Sequence, residues 1–289
     1  MYMTPIWRLI ETYHAVVYYA PERRTEYESL GFRGGWMGYF ASRAGALGPV
    51  GPDVVTALFY NFNRPMVARA LPDAWTYSTP EAALAARLRV ADRALRRLLG
   101  NDVASEPVLR AAALCRRAVE ASPETGRTLF AAHRALPVPE EPHLALFWAA
   151  SALREFRGDG HNAALLHADI DGCEAHVLMT ALGLVPPDQR RYRGWSDEDW
   201  EGAAERLRSR GWIRGDRLAL TEAGQEARAA VERDTERLAA APLAAVDAAG
   251  VASLAVLLAP LVSRIGAGGD LPYPNGMGVP PATEVGQMS

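Results

Sequence analysis

Apolar residues recur at helical spacing through most of the chain, and two short alternating runs late in it are the only strand signal. Ile6, Leu9, Ile10, Tyr13, Val16 and Val17 mark one face of a helix over Pro5–Tyr19, which Pro21 closes. A second helical stretch, Val54–Ala70, carries Pro65 and is expected to kink or split there. Thr79-Pro80-Glu81 is a helix start whose inner face is Leu84, Leu88, Ala91, Leu95 and Leu98, and further helices are expected over Val108–Ala121 and Gly126–Leu136. Leu144, Leu146, Phe147, Trp148, Ala150 and Leu153 make the next helix apolar nearly all round, which predicts a central position. It runs into Arg154, Glu155, Arg157, Asp159 and His161. Gly158 and Gly160 are expected to stop it, with Asp159 capping a separate helix over His161–Ala168. Later, Ser196-Asp197-Glu198-Asp199 fits a capping box, with Trp200, Ala203, Ala204, Leu207 and Gly211 on one face of the helix that follows. Trp212–Thr221 then reads as a hairpin turning at Gly215-Asp216, and Leu220-Thr221-Glu222-Ala223-Gly224 starts another helix.

The order of these signals suggests a repeat. Arg33-Gly34-Gly35 is answered by Arg157-Gly158-Asp159, each preceded by a helix and followed by helices ending near a tryptophan, Trp75 or Trp195, and then by a capped helix. Pro137, Pro139 and Pro142 form a stiff link between the two series. The expected organisation is an amino-terminal degenerate winged-helix module over 1–137, a carboxy-terminal winged-helix module over 138–265, and a flexible tail over 266–289. The fold class is mainly α: two winged helix-turn-helix modules packed as a pseudo-dimer, with a short β-hairpin wing in the second. Within the tail, Leu271-Pro-Tyr-Pro-Asn-Gly has the composition either to stay mobile or to fold back as a lid.

Composition narrows the class more than the chemistry. A chain of 289 residues that is 49% hydrophobic can build a substantial core. Every basic residue is arginine, and a net charge of −3 with a pI near 6.1 excludes an overall basic field for nucleic acid or an anionic membrane. Any DNA contact must therefore be local. Cys115 and Cys173 stand apart without Cys-x-x-Cys spacing and read as buried free thiols. No signal-peptide pattern opens the chain, and Pro260 interrupts the apolar run Val251–Val262, so the expectation is a soluble cytoplasmic protein with no membrane partner.

Candidate chemistry gathers at two glycine-rich blocks. Gly34, Gly35 and Gly38 clear space beside Trp36, Tyr39 and Phe40, as close helix packing or a pocket wall requires. A ligand held between the modules would meet Trp36, Tyr39, Phe40 and Tyr60 with its apolar body, and Arg43, Arg154, Arg157 and His161 with a carboxylate or phosphate. An enzyme would use Asp159 and His161 as an acid–base pair, assisted by Glu155 or His14; as an alternative His14 is a satisfied core residue among Tyr13, Tyr18 and Tyr19. Neither a dinucleotide-binding Gly-x-Gly-x-x-Gly, a phosphate loop nor a nucleophile elbow is present. His167, Asp169, Asp171, Glu174 and His176 match no standard metal spacing, so no metal site is assigned and no cofactor is implied, with haem or metal ligation by His14, His161, His167 or His176 left open.

Helix, glycine, two short strands and Leu-Thr-x-x-Gly at 220–224 resemble the recognition helix and wing of the MarR group of regulators. Over most of its length the chain also resembles an actinobacterial helix-turn-helix family, through Trp-Met-Gly-Tyr-Phe at 36–40, Leu-Gly-Pro-Val at 47–50, Leu-Pro-Asp-Ala-Trp at 71–75, Leu-Arg-Glu-x-Arg-Gly-Asp-Gly-His at 153–161 and Arg-Gly-Trp-Ser at 193–196. Phe156 departs from that pattern, where histidine is expected. The resemblance implies a winged-helix fold and no particular reaction. The helix that would enter a major groove begins with Asp197, Glu198, Asp199 and Glu201, which repel phosphates; Arg206, Arg208, Arg210, Arg214 and Arg217 are the compensating charges, with Arg206, Arg210, Arg214 and Arg217 the candidates for DNA. The leading expectation is a small-molecule-binding winged-helix protein, as a monomeric pseudo-dimer or a homodimer. Its alternatives are a ligand-responsive MarR-like transcriptional regulator and an enzyme of specialised metabolism.

Overall fold

The computed structural model describes residues 3–215, 218–279 and 281. The first helix, α1 (Pro5–Tyr19), is followed by α2 (Glu22–Glu28), α3 (Gly34–Ala44), α4 (Pro52–Phe59), α5 (Arg64–Ala68), α6 (Ala74–Tyr77), α7 (Pro80–Leu99), α8 (Glu106–Glu120) and α9 (Thr128–Arg134). The chain continues with α10 (Pro142–His167), α11 (Gly172–Ala181) and α12 (Asp197–Ser209), the strands β1 (Ile213–Arg214) and β2 (Ala219–Leu220), and then α13 (Glu222–Leu238) and α14 (Ala240–Ala267). Pro5, Pro52, Pro65, Pro80, Pro107 and Pro142 each stand in the first turn of a helix, where a missing N–H leaves no intrahelical bond unmade. Pro65 thereby splits the expected Val54–Ala70 helix into α4 and α5.

Two hydrophobic clusters organise the packing. The larger takes side chains from Ile6 to Leu271 and centres on α1, α7, α8, α10 and α14. It draws on both sides of the Pro137–Pro142 link, so packing does not follow a division at 137/138. The smaller joins Ala164 and Leu165 at the end of α10 to Cys173, Val177 and Leu178 of α11, Ala203, Ala204 and Leu207 of α12, Ile213 of β1 and Val231 of α13. Capping boxes at Asp171/Glu174 and Ser196/Asp199 start α11 and α12, and Ile213 pairs with Leu220 in the antiparallel hairpin. Gly224 is required where α13 leaves the hairpin, because a Cβ there would lie 2.0 Å from the Trp212 carbonyl oxygen.

The central helix corrects one expectation. α10 is continuous for 26 residues, about 39 Å, through Gly158 and Gly160, and Asp159 caps no new helix. Each mid-helix glycine costs about 1 kcal/mol relative to alanine, and tertiary packing overrides that cost. A Cβ on Gly160 would lie 3.1 Å from an Arg127 nitrogen and 3.2 Å from the Leu238 Cβ. Arg127 lies along this face, donating to the carbonyls of Phe156 and Leu238 with its guanidinium 3.6 Å above the Phe156 ring. Phe156 is fully buried edge-to-face on Phe130, so the position where histidine is expected falls in the core.

The proposed repeat is not matched at its landmarks: Gly34 begins α3 with φ of 72°, whereas Gly158 lies inside a helix, and among the described residues the hairpin is the sole sheet. The stretch read as a flexible tail starts out folded, with Leu271, Asn275 and Val279 buried; residues 280 and 282–289 lie outside the described residues. α14 breaks at Asp247, where φ is 57°, then passes through Pro260. By length and composition α14 could cross a bilayer, but it packs along α1 and α8.

Candidate functional site

Between the two clusters lies a cavity of about 850 Å³. Its walls come from α1, α2 and α3, from Leu58 and Phe59 at the end of α4 and Asn61 and Phe62 after it, from α9, α10, α11 and α13, from the loop before α12, and from Pro272–Gly278. Trp36, Tyr39, Arg43, Arg154, Arg157 and His161 all line it, so six of the eight expected ligand-binding residues converge. Phe40 is buried behind Trp36 and Tyr39 in a ring cluster with Phe59 and Phe62. Tyr60 faces elsewhere, its hydroxyl donating to the Ile170 carbonyl at 2.5 Å.

The arginines expected to receive an anion already have partners. Glu155, fully buried, accepts from Arg43 Nε and Nη2 at 2.9 Å each and from Arg154 Nη1 at 2.8 Å. Burial alone would raise its pKa, but the Arg154 and Arg43 charges hold it well below the usual carboxylate range. Arg154 also meets Glu11 at 3.3 Å, and Arg43 stacks 3.9 Å over the Phe59 ring. Arg157 is held by Glu232 and, at 3.1 Å, by Glu236. This wall is charged yet internally neutralised.

The expected acid–base pair does not form. Asp159 and His161 stand two residues apart on one helix, about 200° around its axis. Asp159 accepts from the Phe130 backbone N–H at 3.0 Å, serving the first turn of α9 from outside, and does not line the cavity. Burial pushes its carboxyl up to about 6. His161 bonds through Nδ1 to the Thr235 hydroxyl at 2.9 Å, and burial followed by the Arg228 charge lowers its pKa well below the ordinary histidine value. His14 is a satisfied core residue, bonded to Ser151 at 2.9 Å and Tyr18 at 3.1 Å, and it does not line the cavity.

At the other end, beneath Pro272–Gly278, are groups that the reading of the sequence did not select for this purpose. His176 is 1% exposed, lines the cavity, and has no hydrogen-bond partner at either ring nitrogen. Burial, then the Arg193 charge, lowers its pKa well below the ordinary value, so the ring is neutral. Asp171 and Glu174, near it in sequence, instead form their capping box and pair with Arg206; no group of three or more His, Cys, Asp or Glu converges as a metal site among the described residues. Arg193 lies 4.5 Å over the Phe62 ring and donates to the Gly276 carbonyl at 2.6 Å and the Tyr192 carbonyl at 3.4 Å, while its Nε is buried without a partner. The loop after α4 fixes it in place: Asn63 N donates to the Arg193 carbonyl at 2.9 Å, Asn63 Nδ2 to that of Gly194, and Trp195 Nε1 to that of Asn61. Gly194, with φ of 77°, leaves room for Met66, which a Cβ would meet at 2.6 Å. The clue in the sequence was Arg193 opening the Arg-Gly-Trp-Ser motif, directly before the α12 cap.

The outward face of α12 carries Asp197, Glu198, Glu201 and Glu205, all exposed. The arginines proposed to offset them are largely engaged within the protein. Arg206 bonds Asp171 and Glu174, Arg208 bonds Glu201 and Glu205, and Arg210 donates to the Asp169 carbonyl at 2.6 Å. Arg214 is exposed on β1, and Arg217 lies outside the described residues.

A model of a helix-turn-helix family matches residues 3–272, nearly the whole chain. No curated protein and no solved structure matches it.

Proposed function

The chain belongs to this helix-turn-helix family, and from that premise we propose that it is a small-molecule-binding member whose ligand occupies the cavity between the two hydrophobic clusters. The observation that carries the reading is the set of buried polar atoms on cavity-lining residues with no partner in the protein: both ring nitrogens of His176, Nε of Arg157 and of Arg193, and Oδ1 of Asn61. Each such atom costs about 1–3 kcal/mol if left unmet. The flat surfaces of Trp36, Tyr39, Phe59 and Phe62 favour an organic occupant, and the volume falls within the usual range for ligand sites. Thermal melting against a set of amphipathic organic acids, amides and alcohols tests this. Ligands should raise the melting temperature of the wild type and leave a cavity-filling Leu58→Trp variant unmoved. A set that shifts neither protein, or both equally, counts against the cavity.

DNA is the second reading, favoured by the family and by exposed Arg214 on a winged-helix-like hairpin. The acidic face of α12 opposes major-groove entry, so on this reading contact runs through the hairpin and the phosphate backbone. Arg214→Ala should then weaken binding across sequences and reduce the salt slope by about 1; an unchanged slope removes the hairpin from consideration. The family also favours a soluble, cytoplasmic protein.

A further inference from the structure

We infer that the ligand is a singly charged acid, a carboxylate on an apolar body, received by Arg193 and His176 beneath the Pro272–Gly278 strap. The inference rests on the cavity being a ligand site and adds the chemical class. Seven arginines and four carboxylates line the cavity. Arg43, Arg154, Arg157 and Arg228 are bound to Glu155, Glu11, Glu232 or Glu236. Arg8, which donates to the Met3 carbonyl, and Arg23 line the cavity without an ion pair among the described residues; Arg193 likewise has no carboxylate partner, and two backbone carbonyls and a ring face hold it in place. Asp188 lines the cavity only five positions earlier but is exposed and forms no ion pair with it. Burial lowers the pKa of Arg193, opposed by the Tyr39 and Tyr19 phenols and by no carboxylate. A half-buried guanidinium held in place without a carboxylate partner, its Nε buried, is a receptor for an anion that arrives with the ligand.

The unmet polar atoms at this end fit a carboxylate. Arg193 Nε offers one N–H, and neutral His176 offers one donor and one acceptor nitrogen. The unmet Nε–H of Arg193 and one N–H of His176 suit the two oxygens of a carboxylate, and the remaining histidine nitrogen can accept from a neighbouring hydroxyl or amide. A carboxylate brings one charge to the Arg193 guanidinium, where a phosphate dianion would bring nearly two. Phe62, stacked under Arg193 and in edge contact with Trp36, leads from this anion site to the aromatic wall. The strap completes the enclosure: the Gly276 carbonyl accepts from both Arg193 and Gln189, and Asn275 Oδ1 accepts from Met277 N and Val279 N.

Isothermal titration with naphthalene-2-carboxylate, its neutral isostere 2-naphthamide, and 2-naphthyl phosphate tests the inference on the wild type and on Arg193→Met and Arg193→Lys. One charge-assisted hydrogen bond is worth about 1.5–3 kcal/mol, so the wild type should prefer carboxylate to amide by roughly tenfold or more. Arg193→Met should still bind the amide but lose the preference, and Arg193→Lys should keep part of it. Equal binding of acid and amide by the wild type, a preference that survives Arg193→Met, or tighter binding of the phosphate would overturn the inference while leaving the cavity as a ligand site. Binding of none of the three would count against the cavity itself. The wild-type comparison of acid and amide decides the matter even if a variant fails to fold.

Discussion

The two ends of the cavity use the same side chain to opposite effect. Along α10, Arg43, Arg154 and Arg157 face the cavity with their charges already matched by Glu155, Glu11, Glu232 and Glu236, so they tie α1, α3 and α13 to the central helix. At the strap end, Arg193 is held by carbonyls and a ring, and neighbouring His176 has both nitrogens unmet. The lesson is that an arginine lining a pocket is a ligand group only once its carboxylate partners have been counted. A buried pair that loses one member leaves an unmatched charge; a lone buried cation that is removed leaves none.

Stability measurements sharpen this contrast. The largest effect is expected from Arg43→Met, which strips the bidentate partner from fully buried Glu155 and should cost about 3–5 kcal/mol in chemical denaturation. Adding Glu155→Leu should recover much of that loss, as removing both charges removes the unmatched one; a double variant no better than the single would show that shape, not charge, dominates at this wall. Arg193→Met should change stability by only about 1 kcal/mol, since lost carbonyl bonds are offset by relief from burying an uncompensated charge. A loss as large as that of Arg43→Met would erase the distinction between the two ends.

Two carboxyls on the same helix should respond oppositely to pH. Glu155 has its folded-state pKa depressed, so its contribution is present above the ordinary value of 4.5 and is lost as pH falls below that value toward the folded one. Asp159 has a raised pKa and binds more protons when folded. Its contribution is therefore full below 3.8 and is lost as pH rises through about 6. Asp159→Asn keeps an oxygen to accept from the Phe130 N–H but cannot titrate. The variant should flatten the decline in stability between those two pH values by a smaller amount than any change at Glu155, as measured by urea unfolding across pH 3.5–7 (roughly the interval bounded by these carboxyl values). An unchanged slope would assign the titration to another group.

Much of the fold was legible because local signals agreed with the tertiary outcome. The α1 limits, the Thr79 start of α7, the Ser196 box and the hairpin all follow from spacing and caps. At Gly158 and Gly160 local and tertiary signals disagree. Read alone, two glycines among charges stop a helix; in the fold Gly160 clears room for Arg127 and the end of α13, and Gly158 lies beside Arg154 and Glu155. The cavity residues were legible as aromatic and basic groups beside glycines, but which charges were neutralised was not. Glu155 meets Arg43 across 112 residues and Arg157 meets Glu232 across 75, separations that no spacing rule reaches. Arg193 was concealed for a related reason: its role depends on Phe62 and Gly276, which stand far from it in sequence on opposite sides.

The most direct test of the cavity as a ligand site is native against denaturing mass spectrometry of the protein purified from its natural host. A non-covalent small-molecule adduct, present in the native spectrum and lost on denaturation, is the result expected. A native mass equal to the bare polypeptide would contradict the account.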